Sequence, residues 1–94
     1  MFRKNVIRKH INFYGEVQAV GFRFTAYHAA QLYGATDWVR NEYDGSVTME
    51  IQGTQGQIDD VLAAIERGSY IRITNMRVKS VEPEKNERGF RVAY

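Results

Sequence analysis

The chain has no cysteine, a single proline, a single tryptophan and two histidines in 94 residues. The missing thiols exclude disulfides, thiolate-bound metals and a cysteine nucleophile, so stability has to come from packing and hydrogen bonds. Long hydrophobic runs are missing too. The opening Met1 to His10 carries Arg3, Lys4, Arg8 and Lys9, but no apolar stretch of signal-peptide or membrane-span length follows it, and a cytoplasmic location is the default expectation. Charge of one sign is equally scarce. Thirteen Lys plus Arg against eleven Asp plus Glu leave +2, too small an excess to call for a polyanion, although Arg67, Arg72, Arg77 and Lys79 gather in the later half.

What is present reads as an ordinary globular chain. Hydrophobic residues at 44% and charged ones at 26% suit a folded protein rather than a disordered one. The length suits one domain spanning 1–94, with one core shared by fold and site. No internal repeat, low-complexity tract or linker divides it.

Val6 to Tyr14 predicts the first strand: Ile7, Ile11 and Phe13 share one parity, and Arg8, His10 and Asn12 the other. After a glycine-bounded turn from Gly15 to Gly21, the residues Phe22, Ala26, Ala29, Ala30 and Tyr33 form one helical stripe, with Gly34 as its left-handed C-cap. Ala35 to Asn41 and the alternating Val47, Met49 and Ile51 predict a hairpin whose loop takes its positive φ at Asp44-Gly45. Thr54 to Gln57 reads as a polar break. A second helix then carries Ile58, Val61, Leu62 and Ile65 on one stripe until Gly68 stops it, with Asp59 and Asp60 in its first turn, where negative charge suits the helix dipole. Ile71 to Val81 predicts another strand, whose parity shift requires a bulge or bend near Asn75. Glu82 to Gly89, with Pro83, Glu82, Glu84, Lys85, Glu87 and Arg88, reads as an exposed loop before a last short strand of Phe90, Val92 and Tyr94.

This order predicts an α+β fold: a ferredoxin-like βαββαβ sandwich with a mixed or antiparallel sheet, two helices on one face and the other face open to water. The right-handed crossover rule sets the first strand beside the strand that follows helix one, in parallel. The Gly15 turn and Asn41 would then meet at one sheet edge.

A turn leading from a strand into a helix can aim several backbone N–H groups at one point, and Arg23 in the first helical turn adds a planar fork of donors, a geometry that suits a phosphate. An ordinary connection with a surface arginine has the same residues. Neither Gly-x-Gly-x-x-Gly nor Gly-Lys-Ser/Thr is present, so a small phosphate group fits better than a nucleotide. Asn41 has donors and an acceptor to hold a water and touch a substrate oxygen, or it caps the hairpin. His10 and His28 lie far apart in the element plan with no third ligand, so no metal is expected.

Gly15-Glu16-Val17-Gln18-Ala19-Val20-Gly21-Phe22-Arg23 resembles the first signature of the acylphosphatases, Gly-x-Val-Gln-Gly-Val-x-Phe-Arg. Trp38-Val39-Arg40-Asn41, followed by Asp44-Gly45-Ser46-Val47 and Gly53, resembles the second, and the likeness runs through Phe90-Arg91-Val92-Ala93-Tyr94. The resemblance implies an enzyme that hydrolyses acyl phosphates to a carboxylate and inorganic phosphate, with no metal or organic cofactor. Arg23 and Asn41 would be catalytic. The backbone amides of Val17, Gln18, Ala19, Val20, Gly21 and Phe22 would bind the phosphoryl group, and Asn41 would position the water. The partners implied are a small acyl phosphate and inorganic phosphate; a monomer is expected, with no membrane or nucleic acid. Two positions depart from the pattern. Ala19 replaces a glycine, which demands negative φ or strain of roughly 1 to 2 kcal/mol. Asp37 also replaces one and would set a carboxylate near an anion, so reduced activity is an expectation. The alternative reading is a ferredoxin-like domain with weak or no turnover, serving as an RNA-binding or regulatory anion-binding module.

Overall fold

The computed structural model describes residues 5–85 and 88–93. Arg3, Lys4, Glu87 and Tyr94, and the side chains of Asp37 and Phe90, lie outside the described residues. The elements run β1 (Ile7–Glu16), α1 (Phe22–Tyr33), β2 (Thr36–Asn41), β3 (Val47–Gly53), α2 (Gln55–Glu66), β4 (Arg72–Val81) and β5 (Phe90–Val92). They form a five-stranded mixed sheet in the order β4-β1-β3-β2-β5, with both helices on one face.

Alternation along the strands sorts the faces. Ile11 pairs with Met49, which pairs with Val39, and Phe13 pairs with Val47, so these positions share the helix-covered side. All of them are buried, together with Phe22, Ala26, Ala29 and Ala30 of α1 and Ile58, Val61 and Ile65 of α2. α1 ends as its sequence predicts, at a left-handed Gly34 whose N–H donates to the Ala30 carbonyl.

α2 starts earlier than its apolar stripe implies. Thr54 is its N-cap: the hydroxyl accepts from the Gln57 N–H, and the Gln57 side chain accepts from the Thr54 N–H, a capping box that turns the polar break into the helix start. Asp59 and Asp60 therefore fall beyond the first turn, and Asp59 instead accepts from Gln55 Nε2. The strand arrangement also differs from expectation. β1 and β2 are not neighbours, because β3 lies between them and is antiparallel to both. They still point the same way, so their C-terminal ends reach the same sheet edge, about 10 Å apart across two strand spacings. The only parallel pair among the described strands is β2 with β5.

The parity shift in β4 is a bulge: Tyr14 pairs with Asn75 but Gly15 with Ile73, leaving Thr74 as the extra residue. Gly15, at φ 125°, is required there, because a Cβ would lie 2.2 Å from the Arg72 carbonyl oxygen.

On the second face of the sheet, polar side chains of β1 and β3 bind one another, while Arg77 and Lys79 of β4, beside Asn12 and His10, stay exposed. Arg8, only 5% exposed, donates to Glu50 and to Gln52 Oε1, and His10 Nδ1 lies 2.6 Å from Glu50 Oε2. Gln52 also binds the backbone of Glu84, drawing the start of the β4–β5 loop over this face. Burial raises the Glu50 carboxyl, but the bonds from His10 and Arg8 outweigh it and hold the group below its ordinary 4.5.

Candidate active site

The turn between β1 and α1 is held by its own side chains. Val17 and Phe22 are buried, and the Phe22 ring packs against Phe13 at 4.8 Å. Val20 packs against the same core. Gln18 points toward the hairpin, where its Nε2 donates to the carbonyls of Glu42 at 2.6 Å and Ser46 at 2.9 Å. These anchors tie the turn to the end of β2, where Asn41 sits, and so fix two parts of the site relative to each other.

The first intrahelical bond runs from the Thr25 N–H to the Gly21 carbonyl, and α1 has no side-chain N-cap. Among the described residues, none of the amides from Val17 to Phe24 has a hydrogen-bond partner. Unpaired amides at a helix start are donors waiting for an acceptor, and the helix dipole favours an anion there. Gly21 is left-handed, at φ 80° and ψ 16°. Ala19 has φ 58°, so of the two options open to it this alanine takes the strained one.

Arg23 extends from the first turn of α1 with no ion pair or hydrogen bond among the described residues. Asn41 pairs with Val47, itself opposite Phe13, so it lies on the helix-covered face and not the polar one. Its side chain has no partner among the described residues. The hairpin is capped by Asp44 instead, whose Oδ1 accepts from both the N–H and the hydroxyl of Ser46, which holds that carboxyl below its ordinary value. The hairpin turns at Gly45, at φ 91°.

One cavity of about 420 Å³ collects these groups: Val17, Ala19, Gly21, Phe22, Arg23 and Asn41 line it, with Phe24, Tyr27 and Val92. Gln18 and Val20 stand behind it as supports. Phe24 and Tyr27 were not singled out in the sequence, although their i, i+3 spacing beside Arg23 was visible. The backbone of Asp37 is four residues from Asn41 along β2, about 13 Å at 3.3 Å per residue.

The centre of the polar face of the sheet is occupied by side chains engaged with one another. Its central residues, Arg8, His10, Asn12, Thr48, Glu50 and Gln52, bind one another, and Trp38 is covered by the Arg40 guanidinium at 5.0 Å. No helix among the described residues is long and apolar enough to cross a membrane.

Residues 9–92 match the acylphosphatase family model. The chain is 35% identical over 88 residues to an acylphosphatase from Geobacillus kaustophilus, covering 93% of this chain and 94% of that one. It is 38% identical over 86 residues to an acylphosphatase from Oceanobacillus iheyensis, covering 89% and 94%. The crystal structure of acylphosphatase from Bacillus subtilis superposes with a TM-score of 0.85 at 25% identity, covering 94% of this chain and 99% of that one.

Proposed function

The chain belongs to the acylphosphatase family and hydrolyses acyl phosphates to a carboxylate and inorganic phosphate, and from that premise we propose that Arg23, Asn41 and the amides from Val17 to Phe22 carry the reaction. The observation behind this assignment is that amides, a guanidinium and an amide side chain, each without a partner among the described residues, border one cavity.

The chemistry asks for little beyond them. Water attacks phosphorus, the bond from phosphorus to the acyl oxygen breaks, and the carboxylate leaves with the electron pair. A carboxylate is stable at neutral pH, so no strong proton donor is needed at the leaving oxygen. The turn amides and Arg23 hold the phosphoryl oxygens and offset their charge as the bond loosens. Asn41 orients the water through its carboxamide oxygen. Asparagine is no base, so the water's proton passes to a phosphoryl oxygen or to solvent. No step calls for a metal or organic cofactor. The protein works as a cytoplasmic monomer, one domain over 1–94, on small acyl phosphates.

Arg23→Ala tests the assignment. Hydrolysis of benzoyl phosphate should fall by roughly a thousandfold or more, with an unchanged circular dichroism spectrum, because Arg23 lies outside the buried stripe of α1. Activity near that of the unaltered protein would remove Arg23 from the mechanism.

A further inference from the structure

β4 runs for 10 residues along one margin of the sheet, with β1 on its inner side and no described strand on its outer side. An edge of that length is a template for another strand unless charge, a bulge or a local cap blunts it. Here the blunting covers only the first half. The bulge at Thr74 breaks the register, and Asn75 Oδ1 accepts from the Met76 N–H at 2.9 Å. From Arg77 to Val81 the pairing with β1 is regular and the outer margin is open.

Side chains of this stretch divide between the two faces. Met76 pairs with Phe13 and Val78 with Ile11, on the helix side, yet the helices leave them 38% and 50% exposed. Exposure of one apolar side chain signifies little, and Leu32 and Tyr70 are more exposed; these two differ in flanking an open backbone edge. On the second face, Arg77 and Lys79 have no ion pair or side-chain hydrogen bond among the described residues. They lie about 6.6 Å apart, the repeat of alternate residues in an extended chain. From Arg72 to Val81 the strand carries no acidic residue.

These charges decide between occupants. A second copy adding its own β4 antiparallel, with Met76 opposite Val78, sets Arg77 against Arg77; with Val78 opposite Val78, Arg77 meets Lys79. Like charges placed opposite one another are destabilising, so a copy is repelled. A nucleic-acid strand would meet the two cations but leave the backbone edge and Val78 unused. An extended peptide uses all three, provided that it carries acids at alternate positions.

We infer that the outer margin of β4, from Met76 to Ser80, docks an extended peptide in which acidic and apolar residues alternate, added to the sheet as a further strand. Its acids meet Arg77 and Lys79 on one face, and its apolar side chains cover Met76 and Val78 on the other. Titration with a capped peptide of about eight residues alternating glutamate and valine, read by amide chemical shifts and hydrogen exchange, tests it. Binding should slow exchange between Arg77 and Val81, and the same peptide with lysine for glutamate should not bind. The double variant Arg77→Glu, Lys79→Glu should bind the glutamate peptide at least about tenfold more weakly. It should hydrolyse benzoyl phosphate at an unchanged rate, because both side chains are exposed on the face opposite Asn41. Equal binding of the two peptides, shifts centred on β5, or no binding of the glutamate peptide overturns the inference. Protection of residues 77–81 that grows with protein concentration in the absence of peptide also overturns it, and assigns the edge to a second copy.

Discussion

Ala19 is where the turn stores strain, and removing its methyl group should stabilise the protein. At φ 58° its Cβ crowds the backbone in the left-handed region, which costs a non-glycine residue about 1–2 kcal/mol. Ala19 is exposed at the cavity wall, so little packing is lost with the methyl. Against this relief stands the greater freedom of glycine in the unfolded chain, about 0.4–1 kcal/mol. Taking the middle of each range, Ala19→Gly is expected to gain about 0.8 kcal/mol. For a domain of this size that corresponds to a rise in Tm of roughly 3–6 °C. Urea denaturation and calorimetry read the change directly, and Ala19→Val, which puts a branched side chain into the same conformation, should move both in the opposite direction. A less stable glycine variant would refute the reasoning. It would mean that the methyl makes contacts worth more than the strain, or that residue 19 leaves the left-handed region in solution.

Other expectations follow from the anchors and the polar face. Asn41→Ala should lower turnover of benzoyl phosphate by about 10²–10³-fold while inhibition by inorganic phosphate changes far less; loss of phosphate binding alone, with kcat kept, would count against a role in positioning water. Gln18→Ala cuts both ties from the turn to the hairpin, and should cost about 1–2 kcal/mol in a urea melt and weaken phosphate inhibition around tenfold. Glu50 has a folded pKa below its ordinary 4.5, so the stability it supplies is fully present above that value and drains away as pH falls through the lowered one. Glu50→Gln should cost about 1–3 kcal/mol at pH 7, by removing the charged acceptor of two Arg8 hydrogen bonds, and flatten the loss of stability in acid. Urea midpoints measured from pH 7 down to pH 3 check both effects.

Most elements were legible because their signals are local. Strand parity marked Ile11, Phe13, Met49 and Ile51, and helical spacing marked Phe22, Ala26, Ile58 and Val61, all of which are buried. The bulge in β4 showed itself as a broken parity. The start of α2 was misread because a capping box is built of polar residues, and Thr54 and Gln57 look like a loop to any reading based on hydrophobic pattern. The polar network on the second face was missed for a related reason: Arg8 is far in sequence from Glu50 and Gln52, and only the β1–β3 register brings them into contact.

The candidate site divides in the same way. The glycine turn, Arg23 and Asn41 were identifiable because the chemistry of an anion site and the two motifs both lie in short stretches. That Asn41 turns toward the helices, that its side chain has no partner among the described residues while Asp44 caps the hairpin, and that Phe24 and Tyr27 wall the cavity are matters of register and packing.

By itself the sequence determined the secondary-structure periods, the absence of thiol chemistry and the motifs that carry family membership, since each depends on residues within a turn or a strand of one another. The tertiary structure decided which strands are neighbours, placing β3 between β1 and β2, and which of two conformations Ala19 adopts. Pairing between strands is a competition among distant segments for shared hydrogen bonds and a common core, and its outcome is written in no single stretch of chain.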